Sequence, residues 1–267
     1  MFKMNIQKLY HIMSSFSSLR NAYAYFKSIK YIGKKYQCPF CGGNFSTFKP
    51  TGLLHPVLSE KKIIGGGFRE NAICPRCYSS DRERLVYLYL MNEKNYVFRE
   101  HVKLLHVAPE KELSRILKKA LNIEYLSADL NASDVDVKMD ITNIQYSDCT
   151  FDIVICNHVL EHIVCDYKAI SEIYRTLRRG GFAVLQVPIS LESEKTFEDA
   201  LIIDPIDREK QYGQSDHVRI YGRDYVNKLE NIGFDVDVVD YSNMIAIKYP
   251  NNYGLIADEK VFVCYKK

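Results

Sequence analysis

The chain has 267 residues, 47% hydrophobic and 26% charged, with a formal net charge of +3. That length holds one large α/β domain plus a small module. No window approaches the roughly 18–20 consecutive apolar residues of a membrane-spanning helix, and the N-terminus lacks the continuous apolar stretch of a secretory signal. A cytoplasmic location is expected.

The charge is unevenly spread. Residues 1–59 carry eight Lys/Arg and no carboxylate, Glu60 being the first, so the remainder is net −5. Such a basic leader can touch nucleic acid, anionic lipid or an acidic substrate, or simply form a solvated helix face. Within residues 1–35, Tyr10, Phe16, Leu19, Tyr23 and Phe26 recur at near-helical steps, which predicts an amphipathic helix docked on the main domain.

Residues 36–80 contain two CxxC knuckles, Cys38-Pro-Phe-Cys41-Gly-Gly and Cys74-Pro-Arg-Cys77-Tyr-Ser, about 32 residues apart. Each places two thiolates around one turn, and together they offer the four soft ligands of a closed tetrahedral zinc site. Gly42 and Gly43 suit the tight turn. A site saturated by cysteine has no open position for water, so a structural role is expected. With few core formers nearby, metal binding should contribute much of the module's folding free energy. The remaining cysteines (Cys149, Cys156, Cys165 and Cys264) read as buried small hydrophobes in a reducing compartment.

A linking helix is predicted around Asp81–Leu90, opening the segment 81–267. Val102–Val107 reads as a first strand, then a loop Ala108-Pro109-Glu110 and a helix to about Leu121. Ile123–Ala128 is a second strand ending at Asp129, Val137–Ile141 a short third, and Phe151–Cys156 a buried fourth. A helix over about Cys165–Arg178 leads through Gly180-Gly181 to a strand at Phe182–Val187. A helix at Asp224–Asn231 precedes strands Asp235–Asp240 and Val261–Tyr265, which suit an antiparallel edge. The alternation predicts a doubly wound, largely parallel sheet with crossover helices.

In such a sheet the ligand lies beyond the carboxyl ends of the strands. Asp129, with Leu130, stands where a carboxylate can accept ribose hydroxyls. Asp140, with Ile141, could meet an adenine amino group, and Asn157-His158 opens the loop after the fourth strand. The first loop, His106-Val107-Ala108-Pro109-Glu110, lacks the glycines of a dinucleotide fingerprint. Pro109 removes an N–H and Glu110 would repel phosphate. The loop therefore disfavours NAD and triphosphates and tolerates a cationic nucleoside.

The run Phe151-Asp-Ile-Val-Ile-Cys-Asn-His-Val-Leu-Glu-His162, followed by Tyr174-Arg-Thr-Leu-Arg-Arg-Gly-Gly181, resembles class I S-adenosylmethionine (SAM) dependent methyltransferases, of the type-11-like domain. Further marks are Gln186-Val-Pro-Ile189, Thr196-Phe-Glu-Asp199 and Gly213-Gln-Ser-Asp-His-Val-Arg-Ile-Tyr-Gly222. Over about residues 36–267 the chain is similar to a bacterial family that pairs an N-terminal zinc ribbon with such a domain, often near surface-polysaccharide genes. The resemblance implies a Rossmann-like seven-stranded sheet with a small four-cysteine zinc ribbon. It also implies SAM held by His106, Ala108, Pro109, Glu110, Asp129, Leu130, Asp140, Ile141, Asn157 and His158.

His158-Val-Leu-Glu161-His162 also matches the HxxEH zinc-protease motif, but that chemistry needs both histidines on a long helix and a third ligand. Here the motif leaves a buried strand, and Glu161 and His162 read as bracing a helix start. The polar stretch 191–221 is long for a βα connection and reads as an acceptor-binding lid. In it, Asp216 and His217 offer a proton acceptor, His158 being the other candidate base. Arg219, Tyr221 and Arg223 are the candidate substrate contacts, an arginine pairing with phosphate or carboxylate. The expected reaction is methylation of a small molecule or glycan precursor. The alternatives are an RNA methyltransferase gripping its substrate through the ribbon, and a non-catalytic SAM-binding scaffold. The net-negative main domain argues against nucleic acid.

Overall fold

The computed structural model describes residues 22–248 and 252–267. Most of the proposed amphipathic leader lies outside them. Of its apolar positions, Tyr23 and Phe26 are 59% and 68% exposed.

Seven strands form one sheet: β1 (Val102–Val107), β2 (Ile123–Asp129), β3 (Val137–Lys138), β4 (Phe151–Asn157), β5 (Leu177–Gln186), β6 (Asp235–Val239) and β7 (Val261–Tyr265). Their spatial order is β6-β7-β5-β4-β1-β2-β3. β7 runs antiparallel to both neighbours, and the other pairings are parallel. The closing pair is antiparallel as predicted, but β7 is inserted between β5 and β6, leaving β6 at the edge. This is the Rossmann-like methyltransferase sheet.

β4 is central and buried on both faces, as its unbroken apolar run dictates. Alternate residues of the inner strands feed opposite cores. Leu104, Ile153, Ile155 and Val184 pack on one side; Leu105, Val154, Cys156 and Leu185 pack on the other. Cys156 and Cys264 are buried as expected, but Cys149 and Cys165 lie in turns and are exposed. β5 begins five residues before its predicted start and absorbs Gly180-Gly181 in a bulge. A Cβ on Gly181 would sit 2.5 Å from the Asp152 carbonyl oxygen, so only glycine fits there.

Residues 22–28 are helical, and the α-helices after them are α1 (Pro56–Glu60), α2 (Asp81–Glu93), α3 (Lys111–Leu117), α4 (Asp166–Thr176), α5 (Pro205–Tyr212), α6 (Tyr225–Glu230) and α7 (Tyr241–Lys248). A capping box starts α2: Ser80 Oγ accepts from the Glu83 N–H, and Glu83 reaches back to the Ser80 N–H. The polar stretch 191–221 is ordered. It carries α5, capped by Asp204 and ended by Gly213 at φ 82°, and a hairpin pairing Phe197–Glu198 with Arg219–Ile220.

The N-terminal module shares a core with the main domain. Tyr36, Phe40, Phe45 and Phe48 are buried in the cluster that contains the α2 side chains and one face of the sheet. Phe40 stacks on Tyr87 of α2 at 4.6 Å. Arg84, fully buried, donates to the carbonyls of Ala72, Ser79, Tyr253 and Gly254 at 2.7–2.9 Å. The expectation of few core formers in 36–80 is thus revised: aromatic packing against α2 works alongside any metal.

Candidate functional site

The two knuckles converge. Cys38 and Cys77 Sγ lie 3.5 Å apart and Cys41 and Cys74 Sγ 3.8 Å, and all four sulfurs fall within 4.8 Å of one another. Zinc–sulfur bonds near 2.3 Å in a tetrahedron place sulfurs roughly 3.8 Å apart, so the four thiolates fit that ion. The turns are built alike. Gly42 and Tyr78, each four residues after its first cysteine, take the left-handed conformation at φ 66° and 65°. Cys38 N–H bonds the Gly43 carbonyl and Cys74 N–H the Ser79 carbonyl, both at 2.9 Å.

At the carboxyl edge of the sheet, the strand order reverses between β1 and β4, the place where such folds bind ligands. Two non-glycine residues there adopt the left-handed conformation: Ala108 after β1 (φ 45°) and His158 after β4 (φ 53°). Ala108 supplies the backbone turn that a glycine gives elsewhere. Strain of this kind concentrates at working sites.

The residues predicted to hold a nucleoside divide into two sets. Asp129 accepts the N–H groups of Asn131 and Ala132 on Oδ1, each at 2.7 Å. Asp140 accepts the N–H and hydroxyl of Thr142 on Oδ1, each at 2.8 Å. In both, Oδ2 makes no hydrogen bond among the described residues. Leu130 is exposed beside Asp129, whereas Ile141 is packed into the core. His106 is wholly buried, its ring between Tyr125 Oη at 3.0 Å and Glu110 at 2.7 Å. It orients Glu110 and does not face a ligand. Asn157 Nδ2 donates to Glu110 at 2.9 Å, while its buried Oδ1 has no partner. Burial opposes ionisation of Glu110, but the bonds from His106 and Asn157 outweigh it and hold the carboxyl below its ordinary range.

Beside this edge lies a cavity of about 220 Å³. His158, Glu161 and His162 form one wall. Tyr212, Gln214 and His217 of the 191–221 stretch form another, and the roof comes from the segment between the cysteine knuckles, with Gly52, Leu58, Ile63 and Gly66. Three contacts hold the roof. Ile63–Ile64 pairs antiparallel with Ile189–Ser190 just past β5, His55 meets Glu209 of α5 at 3.0 Å, and Val57, Tyr212 and Ile220 share a small core.

The cavity's polar groups are poorly satisfied. Both ring nitrogens of His158, Oε2 of Glu161 and Nε of Arg82 are buried without a hydrogen-bond partner, and His158 Nδ1 faces Glu161 Oε1 at 3.6 Å. Burial pushes Glu161 up to about 8 and His217 down to about 4. Burial, reinforced by Arg82 and Arg69, holds His158 well below the ordinary histidine value.

Several predicted roles shift. Asp216 pairs with His162 at 3.2 Å and not with its neighbour His217. Arg219, 4% exposed, donates to the carbonyls of Leu160, Ile163 and Val164 and to Glu198. It locks the lid to the turn after β4, and these four bonds commit it to the protein. Tyr221 is fully buried, its hydroxyl on Asp166 at 2.6 Å, and Arg223 lies outside the cavity against Glu194 and the Leu191 carbonyl. Three arginines line the cavity, Arg69, Arg82 and Arg219, and of these Arg82 has no carboxylate pair among the described residues. It contacts the Gly65 carbonyl, while its neighbour Arg69 is paired with Asp81 at 2.6 Å. Arg82 looked like an ordinary surface position of the linking helix, and nothing local marks it. Glu161 and His162, taken as helix braces, sit on a single 3-10 turn, Leu160–His162, and line the cavity.

Residues 112–185, from α3 through β5, match the family model described as a methyltransferase domain. No curated protein matches the sequence. Among solved structures, similar chains include the cyclase SpnF at 18% identity, TM-score 0.48, over 72% of this chain and 79% of that one. A SAM dependent methyltransferase from Archaeoglobus fulgidus is similar at 17% identity, TM-score 0.43, over 68% and 93%. A Burkholderia thailandensis 1,6-didemethyltoxoflavin-N1-methyltransferase is similar at 13% identity, TM-score 0.43, over 69% and 76%. The fold assignment itself rests on the strand order. Among the described residues no helix is long and apolar enough to cross a membrane.

Proposed function

We propose that this protein is a SAM-dependent methyltransferase acting on an oxygen of a small polar acceptor, with its four-cysteine zinc ribbon forming part of the acceptor pocket. The observation that carries this reading is the cavity at the β4 end, lined by buried histidine and arginine nitrogens that lack hydrogen-bond partners, beside carboxylates at the β2 and β3 ends that each keep one oxygen unbonded.

The residues present fit the donor. Asp129 and Asp140 each keep one oxygen for ribose or adenine groups, and Asn157 Oδ1 is an orphaned buried acceptor. Bound there, SAM would supply an electrophilic methyl group. The protein's contribution is positioning, which can account for much of the acceleration in a bimolecular transfer. The cavity is smaller than the roughly 300–1,000 Å³ of a drug-sized site, which suits the reacting end of a small acceptor. Arg82 is placed to hold an anionic group of that acceptor. His158 and His217 are kept neutral by burial and can each take the proton a hydroxyl loses. A hydroxyl or phosphoryl-type oxygen of a surface-polysaccharide precursor, the context implied by the family resemblance, meets these requirements.

Calorimetry with SAM should give saturable binding, and a panel of sugar phosphates and hydroxy acids should release S-adenosylhomocysteine with at least one member. Arg82→Met should raise the acceptor KM at least tenfold and leave SAM affinity unchanged. No SAM binding, or binding of a nicotinamide dinucleotide in its place, would end this reading.

A further inference from the structure

The cavity holds more metal-ligating groups than methyl transfer requires. We propose that Glu161, His162 and His217 form a site for a divalent first-row transition ion, separate from the four-cysteine site, with open coordination positions toward the cavity. One ligand atom from each residue lies within 4.8 Å of the other two. Bonds of 2.0–2.2 Å to an ion would set such atoms roughly 3.0–3.4 Å apart, which asks the side chains to close by at most roughly 1.4–1.8 Å from the 4.8 Å limit. The residues come from two segments already clamped together. Glu161 and His162 lie on the turn after β4 and His217 on the lid, and the Val218 N–H donates to the Glu161 carbonyl at 2.9 Å.

Three observations go beyond proximity. Glu161 is 2% exposed and its Oε2 has no partner; a buried carboxylate oxygen in that state carries a desolvation cost that a cation offsets. His217 is 8% exposed, and neither of its ring nitrogens hydrogen-bonds to a described residue. His162 has a carboxylate behind it, Asp216 Oδ2 at 3.2 Å from Nδ1. That arrangement fixes the tautomer of a ligating imidazole and leaves Nε2 for the ion.

The donor set differs in kind from the knuckles. Four thiolates select zinc and close its coordination sphere, whereas two imidazoles and one carboxylate suit Zn²⁺, Mn²⁺ or Fe²⁺ and leave positions unfilled. An oxygen donor, a hydroxyl or carboxylate of a small molecule in the cavity, is the ligand class that completes them. This is not the HxxEH arrangement of the sequence motif, because His158 is replaced in the set by His217 from 59 residues further along. With an ion bound, His217 is a ligand, and of the two histidines His158 alone is left to take the acceptor's proton.

The test uses the full chain with its four-cysteine site first filled by zinc. Titration with Co²⁺, followed by gel filtration and elemental analysis, should show one retained cobalt besides the zinc, with the weak visible bands of nitrogen and oxygen ligands. Glu161→Gln and His217→Ala should each lower cobalt affinity at least tenfold while zinc stays at one equivalent. His101→Ala, at an exposed histidine just before β1, should retain both metals. If His217→Ala does not fold, Glu161→Gln, which preserves shape, decides. No retained cobalt, cobalt seen only with an intense thiolate band, or undiminished binding by Glu161→Gln would each overturn the site.

Discussion

On the β1–β3 side of the catalytic edge, the groups that would meet a nucleoside stand at strand ends, held by short-range bonds: Asp129 to Asn131 and Ala132, Asp140 to Thr142, His106 to Glu110. On the β4–β5 side, the cavity is assembled from segments far apart in the chain: the loop between the knuckles, the start of α2, the turn after β4 and the lid. One half is local and the other is tertiary. If the proposed function holds, the strand-end groups are expected to outlast damage to the cysteine module, while the cavity depends on that module's docking. An acceptor pocket roofed by an accessory module can change specificity without touching the donor site.

Arg84→Met is expected to have the largest effect on that contrast. It leaves four buried carbonyls without the guanidinium that joins the ribbon to α2 and residues 253–254, for a loss of about 3–5 kcal/mol. Urea unfolding measures the loss. Limited proteolysis within 51–69 should accelerate and the acceptor KM should rise, with SAM affinity held within twofold. If SAM affinity fell in parallel, the two halves would not be separable.

Next in size is a pH effect on the acceptor side. Burial, and then Asp81, push Glu259 up to about 7, against the opposing charges of Arg82 and Arg69. Its ordinary value is near 4.5. Between the two values the folded state binds the proton that the unfolded chain releases. Stability therefore falls as pH rises from about 4.5 through 7, by something on the order of 3 kcal/mol, with the full loss above that window. Glu259→Gln should remove this component. An unchanged stability difference between pH 5 and pH 8 in the variant would refute it.

The smallest effect sharpens the donor side. Asp129→Ala should weaken SAM binding by about 1–3 kcal/mol through lost hydrogen bonds, with the acceptor KM unaltered. Calorimetry that finds the same dissociation constant would remove Asp129 from the donor site.

Much of the fold was legible because it follows from periodicity. β1 and β7 have the predicted bounds, and β2 and β4 differ from theirs only at the final residue. Departures occur where local cues compete. The Gly180-Gly181 pair read as a loop is a bulge inside β5, and α3 ends at Leu117, short of the predicted Leu121. The donor-side carboxylates were legible because a strand's carboxyl end is a position in sequence. Arg219 was misassigned for the opposite reason: an arginine in a polar lid looks free until the Leu160, Ile163 and Val164 carbonyls arrive from 55 to 59 residues away. Arg82 and Glu161 went unrecognised because their significance lies in what fails to reach them, and a linear reading carries no record of missing partners.

The sequence by itself determined the alternation of strands and helices, the two cysteine turns and the acidic strand ends, since each depends on the chemistry of neighbours within a few residues. The tertiary structure alone decided that the ribbon roofs a cavity, that the lid closes on the turn after β4, and which charged groups inside lack partners. Burial and hydrogen-bond satisfaction are properties of assembled surfaces, and they arise only when segments more than 100 residues apart, such as Ile63–Ile64 and Ile189–Ser190, are brought together.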